Sequence, residues 1–160
     1  MRKINLHDVH EEDYWSPKRT MGGYSREVSV ALGRNRDSSD LLERHPFDVE
    51  IQRIPPGLPS TPYHSHSAQW EFYFVMSGHG LVRHDDGEDA IGPGDAFLFK
   101  PGEAHQIRGR DGTEDLVLMC IADNPFGESW YYPDSEKYGV ALPKRAFVRG
   151  ESLDYWDGEE

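Results

Sequence analysis

The chain has 160 residues, with 29 Asp and Glu against 17 Lys and Arg, for a formal net charge of −12. So acidic an average surface repels a phosphate backbone and argues against nucleic acid as a partner, while a few local cations can still hold a small anion. Hydrophobic residues are only 36% of the chain but 12% are aromatic, so a single domain with a real core is expected, and no apolar run is long enough for a membrane span.

The N-terminus, Met1-Arg2-Lys3-Ile4-Asn5-Leu6-His7-Asp8, turns acidic before any apolar segment develops, so no signal peptide is expected. Residues 1–25 are polar and broken by Pro17, Gly22 and Gly23, which reads as a loosely ordered arm. Residues 27–32, Glu-Val-Ser-Val-Ala-Leu, alternate like a strand; 34–40 read as a charged loop, and 41–44 are too short to assign. From Phe47 the texture becomes a series of short alternating segments. Strands are expected at 48–54, 63–66, 71–76, 80–84, 88–91, 96–99, 105–108 and 116–122, separated by Pro55-Pro56-Gly57, Ser77-Gly78, Asp86-Gly87, Gly92-Pro93-Gly94, Pro101-Gly102 and Asp111-Gly112. Turns every eight to twelve residues imply an all-β sandwich or barrel. Cys120 is the sole cysteine, so no internal disulfide can form; it reads as buried packing, with a cytoplasmic location as the default. Residues 123–160 carry Trp130, Tyr131, Tyr132, Tyr138, Tyr155 and Trp156 among many acids and read as a tail packed on the outside of the barrel, frayed at 157–160. The expected division is therefore an N-terminal arm at 1–44, a barrel at 45–122 and the tail at 123–160.

The chemistry concentrates at His64-Ser65-His66 and Glu71, answered by His105. His64 and His66 leave one face of a strand together. Glu71 lies five residues past His66, so it joins them only if residues 67–70 contain a turn or bulge. Three imidazoles and a carboxylate suit one divalent ion such as Mn, Fe, Ni, Cu or Zn. Each histidine also has a plain structural reading, as a hydrogen-bonding group in a turn.

These residues resemble the two motifs of the cupin superfamily. The first runs His-x-His, four residues, Glu71, six residues, Gly78; the second begins Gly94-Asp95 and ends Gly102-Glu103-Ala104-His105. Lys100 stands where a proline is usual, and Gly109 where an asparagine is usual. The resemblance implies a double-stranded β-helix of jelly-roll type, a metal held by His64, His66, Glu71 and His105, and dimerisation through an outer sheet face. If Glu71 points inward, Tyr73 and Val75 share its face and Phe72 and Phe74 face out, in need of cover. That outward pair, with a strand at 27–32 able to extend a partner's sheet, gives the expectation of a homodimer. Tyr73 either donates its phenol to a ligand in the pocket or is a core tyrosine. His79 and His84 read as exposed residues, Ile107 as apolar packing, and Arg83, Lys100 and Arg108 as solvated cations or anion holders.

The resulting expectation is a metal-binding protein acting on a small oxygen-rich molecule, with an isomerase of the sugar-phosphate kind or a metal-dependent dioxygenase as the enzyme readings. A non-catalytic small-ligand binding module is the rival. No general base is identifiable from the sequence.

Overall fold

The computed structural model describes residues 1–36, 38, 40–112, 114–141, 145–150 and 156–157, with the side chain of Leu41 also left aside. Tyr155 and residues 158–160 of the expected tail lie outside the described residues. In chain order come β1 (Glu12–Trp15), β2 (Gly22–Glu27), a helical turn α1 (Val28–Ala31), a second turn α2 (Leu41–Arg44) and β3 (Phe47–Ile54). β4 (Ser65–His66), β5 (Glu71–Ser77), β6 (Gly80–His84), β7 (Gly87–Ile91), β8 (Ala96–Phe99), β9 (His105–Gly109) and β10 (Leu116–Asp123) follow. The tail adds β11 (Ser129–Tyr132), β12 (Lys137–Val140) and β13 (Ala146–Val148).

One six-stranded sheet has the order β1-β2-β3-β10-β5-β8. Facing it, a four-stranded sheet β13-β12-β11-β4 and a three-stranded sheet β7-β6-β9 meet through isolated bridges, including Pro59 to Arg108 and His64 to His105. The result is an all-β jelly roll. Alternation does the sorting: in β10, Leu116, Leu118, Cys120 and Ala122 are buried while the residues between them are half-exposed. The core is the interior cluster of Ile54, Tyr73, Val75, Val82, Ile91, Ile107, Leu116, Leu118 and Cys120. In β5, Glu71, Tyr73 and Val75 are buried and Phe72 and Phe74 only half-buried, the parity expected from the sequence.

Two local expectations are corrected. Residues 27–32 do not form a strand: β2 ends at Glu27, and Val28–Ala31 make one helical turn closed by Leu32 N–H on Val28 O. Residues 1–25 are not a loose arm, because β1 pairs with β2 and β2 with β3. The glycines that read as breakers are what lets β2 fit. A Cβ on Gly23 would sit 2.6 Å from Arg53 O, and Gly22 has φ +134°. Residues 41–44, too short to assign from sequence, form a helical turn. Gly109 also has a local cause. A Cβ there would lie 2.5 Å from Pro55 O, where the chain after β3 crosses β9. No helix among the described residues is long and apolar enough to cross a membrane.

Candidate metal centre

His64 and His66 flank the start of β4, Glu71 opens β5 and His105 opens β9. Residues 67–70 are not a bulge within one strand. They carry the chain from one sheet to the other, so β4 pairs with β11 while β5 pairs with β10 and β8. Glu128, buried on the approach to β11, fixes this crossing by accepting from Ser67 N (2.8 Å) and Ala68 N (3.2 Å). His64 and His105 exchange two backbone hydrogen bonds, His64 N to His105 O at 3.1 Å and the reverse at 2.8 Å.

The ring orientations follow from partners behind them. His64 Nδ1 lies 2.8 Å from Pro62 O and His105 Nδ1 3.3 Å from Glu103 O. A carbonyl only accepts, so both Nδ1 atoms carry the proton and both Nε2 atoms present a lone pair to the cluster. His64 Nε2 is 3.1 Å from His66 Nε2, which is 3.5 Å from Glu71 Oε2. His105 Nε2 is 2.7 Å from the same Glu71 oxygen yet lacks the alignment of a hydrogen bond. His66 Nδ1 is 3.6 Å from Glu128 Oε1, also without a hydrogen bond. The ligand atoms of His64, His66 and Glu71 all fall within 4.8 Å of one another. His105 joins from behind Glu71; it is 2% exposed and does not line the cavity in front of the other three.

This donor set fits a divalent ion. Burial first, and then the neighbouring His105, push His64 down to about 4, so it is a neutral imidazole at physiological pH. Burial likewise lowers His66 against the opposing pull of Glu71. Burial alone would raise Glu71, but His105, His66 and His64 together overcome it and hold the carboxyl at about 2. A buried carboxylate and imidazole nitrogens brought this close, with His105 Nε2 left unpartnered, form a donor set that a cation completes. Aromatic rings hold the set in place: Phe99 stacks on His105 at 4.0 Å between centroids and Tyr132 on His64 at 5.9 Å. Tyr73, 5% exposed, donates to Glu71 Oε2 at 3.3 Å, and burial raises its pKa well above the usual phenol value, so it stays a donor.

In front of the centre lies a cavity of about 910 Å³. Its walls correct two expectations. The tail is not confined to the outside, because Trp130 and Tyr132 of β11 line the cavity beside β4. The cations at its mouth are Arg34, Arg36, Arg44 and Arg145, not the three singled out from the sequence. Arg83 pairs with Asp134, Lys100 with Glu103 and Arg108 with Glu88, all on the outer surface. His79 and His84 face Glu114 and Asp89 outside the cluster. Arg34 and Arg36 fall in the charged loop at 34–40, and Arg44 in the segment at 41–44 that is too short to assign from sequence. β3 and the turn after β10 hold two of them: Arg34 donates to Asp48 at 2.7 Å and to Asn124 at 3.1 Å, and Arg44 to Pro125 O at 3.0 Å, while Arg36 pairs with Glu27 at the end of β2.

The Cupin domain family model matches residues 50–122. An oxalate-binding protein of Thermotoga maritima is 36% identical over 70 residues, 43% of this chain and 55% of that protein, so the match spans little more than half of the relative's length. A structure from Silicibacter pomeroyi, described as a sugar phosphate isomerase from a cupin superfamily, aligns over 96% of this chain and 97% of its own with a TM-score of 0.77 at 24% identity. A protein of Acidithiobacillus ferrooxidans aligns over 93% of this chain and 92% of its own, again at a TM-score of 0.77, with 23% identity. The likeness therefore extends beyond the family segment to the N-terminal strands and the tail. Both motifs lie within the matched segment and are brought onto one jelly roll, so residues 50–122 form a cupin domain.

Proposed function

We propose that the chain is a metalloenzyme in which His64, His66, Glu71 and His105 hold one divalent ion, and that it isomerises a small hydroxycarbonyl compound such as a sugar phosphate. The observation that carries this reading is the convergence of the His64, His66 and Glu71 ligand atoms within 4.8 Å of one another at the base of a 910 Å³ cavity, with His105 Nε2 unpartnered beside Glu71. Bound there, such an ion would polarise a carbonyl oxygen of the ligand. Around it, this chain supplies orientation and charge. Tyr73 presents a phenol beside Glu71, and the rings of Trp130 and Tyr132 form an apolar wall that limits water. Among the described residues Arg44 and Arg145 face no carboxylate: Arg44 donates to a backbone carbonyl and Arg145 lies 4.9 Å from the Trp130 ring. Both are free to meet a phosphate or carboxylate at the mouth. The Silicibacter structure's description as a sugar phosphate isomerase supports the same class.

The test is elemental analysis of wild type against the His64→Ala, His105→Ala double variant. It is followed by a screen of sugar phosphates with Mn, Fe, Ni, Cu or Zn supplied in turn. Turnover that survives chelation, or is undiminished in Glu71→Gln, overturns the proposal; oxygen uptake during turnover selects the dioxygenase reading instead. The arginine-flanked mouth and the oxalate-binding relative favour one further reading, a module that binds a small dicarboxylate without transforming it. Tight oxalate binding with no turnover of any sugar phosphate selects it. A homodimer also remains part of the proposal. Leu98 and Met76 are 52% and 44% exposed on the outer sheet face that carries Phe72 and Phe74, and light scattering at micromolar concentration reads the mass directly.

A further inference from the structure

Four carboxylates line the cavity, and three of them face a cation or an imidazole among the described residues. Asp48 faces Arg34, Glu71 faces His105 and Glu128 faces His66. The fourth, Glu50, is hydrogen-bonded by neutral groups: Gln52 Nε2 donates to its Oε1 at 2.5 Å and Ser25 Oγ to its Oε2 at 2.9 Å. Glu50 is half-buried, and no ion pair anchors it among the described residues.

Its position is set by strand pairing. Asp48, Ala122 and Glu71 lie opposite one another across β3, β10 and β5, and Glu50, Cys120 and Tyr73 form the next row inward. The central strand contributes only Ala122 and Cys120 there, so no large side chain separates Glu50 from the metal ligands' side of the cavity. Neighbouring strands are about 4.8 Å apart, which puts the β3 and β5 backbones about 10 Å from each other. Two inward side chains leave room between them for a ligand of a few carbons.

We infer that Glu50 is the catalytic base of this cavity, exchanging a proton with the carbon of a hydroxycarbonyl ligand held against the His64–His66–Glu71 centre; this rests on the isomerase reading above. The step balances without an external oxidant. The Glu50 carboxylate takes the proton from the hydroxyl-bearing carbon next to the carbonyl, and the C–H electron pair becomes the C=C bond of an enediol. The carbonyl π pair moves to its oxygen, which takes up a proton and becomes a hydroxyl. The other enediol hydroxyl then loses its proton and re-forms a carbonyl, and the former carbonyl carbon recovers the proton carried by Glu50. One proton has moved between carbons and one between oxygens.

The surroundings suit a group that must both take and return a proton. Burial first, then the neighbouring Glu27 carboxylate and Asp48, raise Glu50, while Gln52 and Ser25 oppose them; the outcome is a value of about 7. Tyr14 from β1, Cys120 from β10 and Tyr73 from β5 also face it, all neutral through burial, and Arg36 lies beyond Glu27. A base near the working pH is the most effective for proton transfer.

The experiment has two arms, both on the full chain. In the first, the side-chain carboxyls of glutamate are followed by carbon-13 NMR from pH 4 to 9 in wild type and Glu50→Gln. One resonance titrating near neutrality and missing from the variant is expected; Glu50 titrating with the ordinary carboxylates overturns the inference. In the second, fructose 6-phosphate and ribose 5-phosphate are incubated in D2O with protein loaded with Mn or Zn, and deuterium uptake at carbon is read. Wild type is expected to exchange with a rate that rises from pH 5 to 7 and then levels. Glu50→Gln should be at least about 100-fold slower with unchanged metal content, and Glu50→Asp should recover part of the rate. Equal exchange by Glu50→Gln overturns the role of Glu50 while leaving the isomerase reading intact. No exchange by wild type with either ion overturns the isomerase reading and the catalytic role of Glu50 with it.

Discussion

Along the same strands, the jelly-roll interior changes from hydrocarbon at one end to a polar, titratable lining at the other. At the deep end Ile54, Val75, Leu116 and Leu118 are wholly buried. Toward the mouth, β3 offers Gln52, Glu50 and Asp48 on the same face, and β5 offers Tyr73 and Glu71. The difference shows a division of labour within single strands. Polar groups buried at the mouth cost stability unless partnered, so the hydrocarbon end must supply the surplus that holds them converged.

The largest effect expected from breaking that division is at the deep end. Leu118→Ala should cost about 2–5 kcal/mol of stability in a denaturant melt, because it leaves a cavity among fully buried neighbours. The folded fraction should keep wild-type metal content per chain. A proportionate loss of metal per folded chain would mean that the two ends are not separable.

The mouth should show the opposite sign. Glu50 has a folded value of about 7 against an ordinary value of 4.5, so the folded chain binds more protons between those limits than the unfolded one. Stability therefore falls as pH rises through that window, by roughly 3 kcal/mol at most. Glu50→Gln removes the penalty and should be more stable than wild type at pH 8, with the gain shrinking toward pH 5. A gain independent of pH would show that Glu50 is not neutralised by its surroundings.

A third test joins the two ends through the ion. Zn or Mn supplied to metal-free protein at 100 times its Kd should stabilise wild type by about 2.7 kcal/mol through mass action, read as a rise in Tm. The rise should vanish in the His64→Ala, His105→Ala variant. An equal rise in both would place the ion elsewhere.

These contrasts were unequally legible in the sequence. The parity of β5 could be read because strand alternation is local: once Glu71 points inward, Tyr73 and Val75 must follow. The role of residues 67–70 could not, because the change of sheet depends on β11, some sixty residues later, pairing Trp130 with His66. β2 was obscured by Gly22 and Gly23, which are breakers in isolation but are required by the close backbone of Arg53. Residues 27–32 showed strand alternation, yet Gly33 at φ +97° follows a completed helical turn there. Glu50 looked like one acid among many. Its chemical interest lies in the cations it lacks, and those are visible only once Arg34 and Arg36 are seen to be committed to Asp48 and Glu27.

The smallest effect should come from outside the barrel, where charge is solvated. Arg83 of β6 makes two contacts with Asp134, at 2.7 and 2.8 Å, and its guanidinium lies 3.9 Å from the centre of the Tyr63 ring. Arg83 thus ties the turn after β11 to the three-stranded sheet. Both partners of the ion pair are largely exposed, with side-chain exposures of 41% and 55%, so water and salt screen their attraction. The ring contact adds only a modest cation–π contribution at such a site. Arg83→Ala should therefore cost less than about 1 kcal/mol, and the cost should shrink further in 0.5 M salt. The double variant with Asp134→Ala should be no worse than the sum of the two single variants, and metal content should not change. A loss of metal in Arg83→Ala would mean that this surface pair, by holding β11 against β4, sets the position of His66, and the polar mouth would then have to be redrawn to include the outer face.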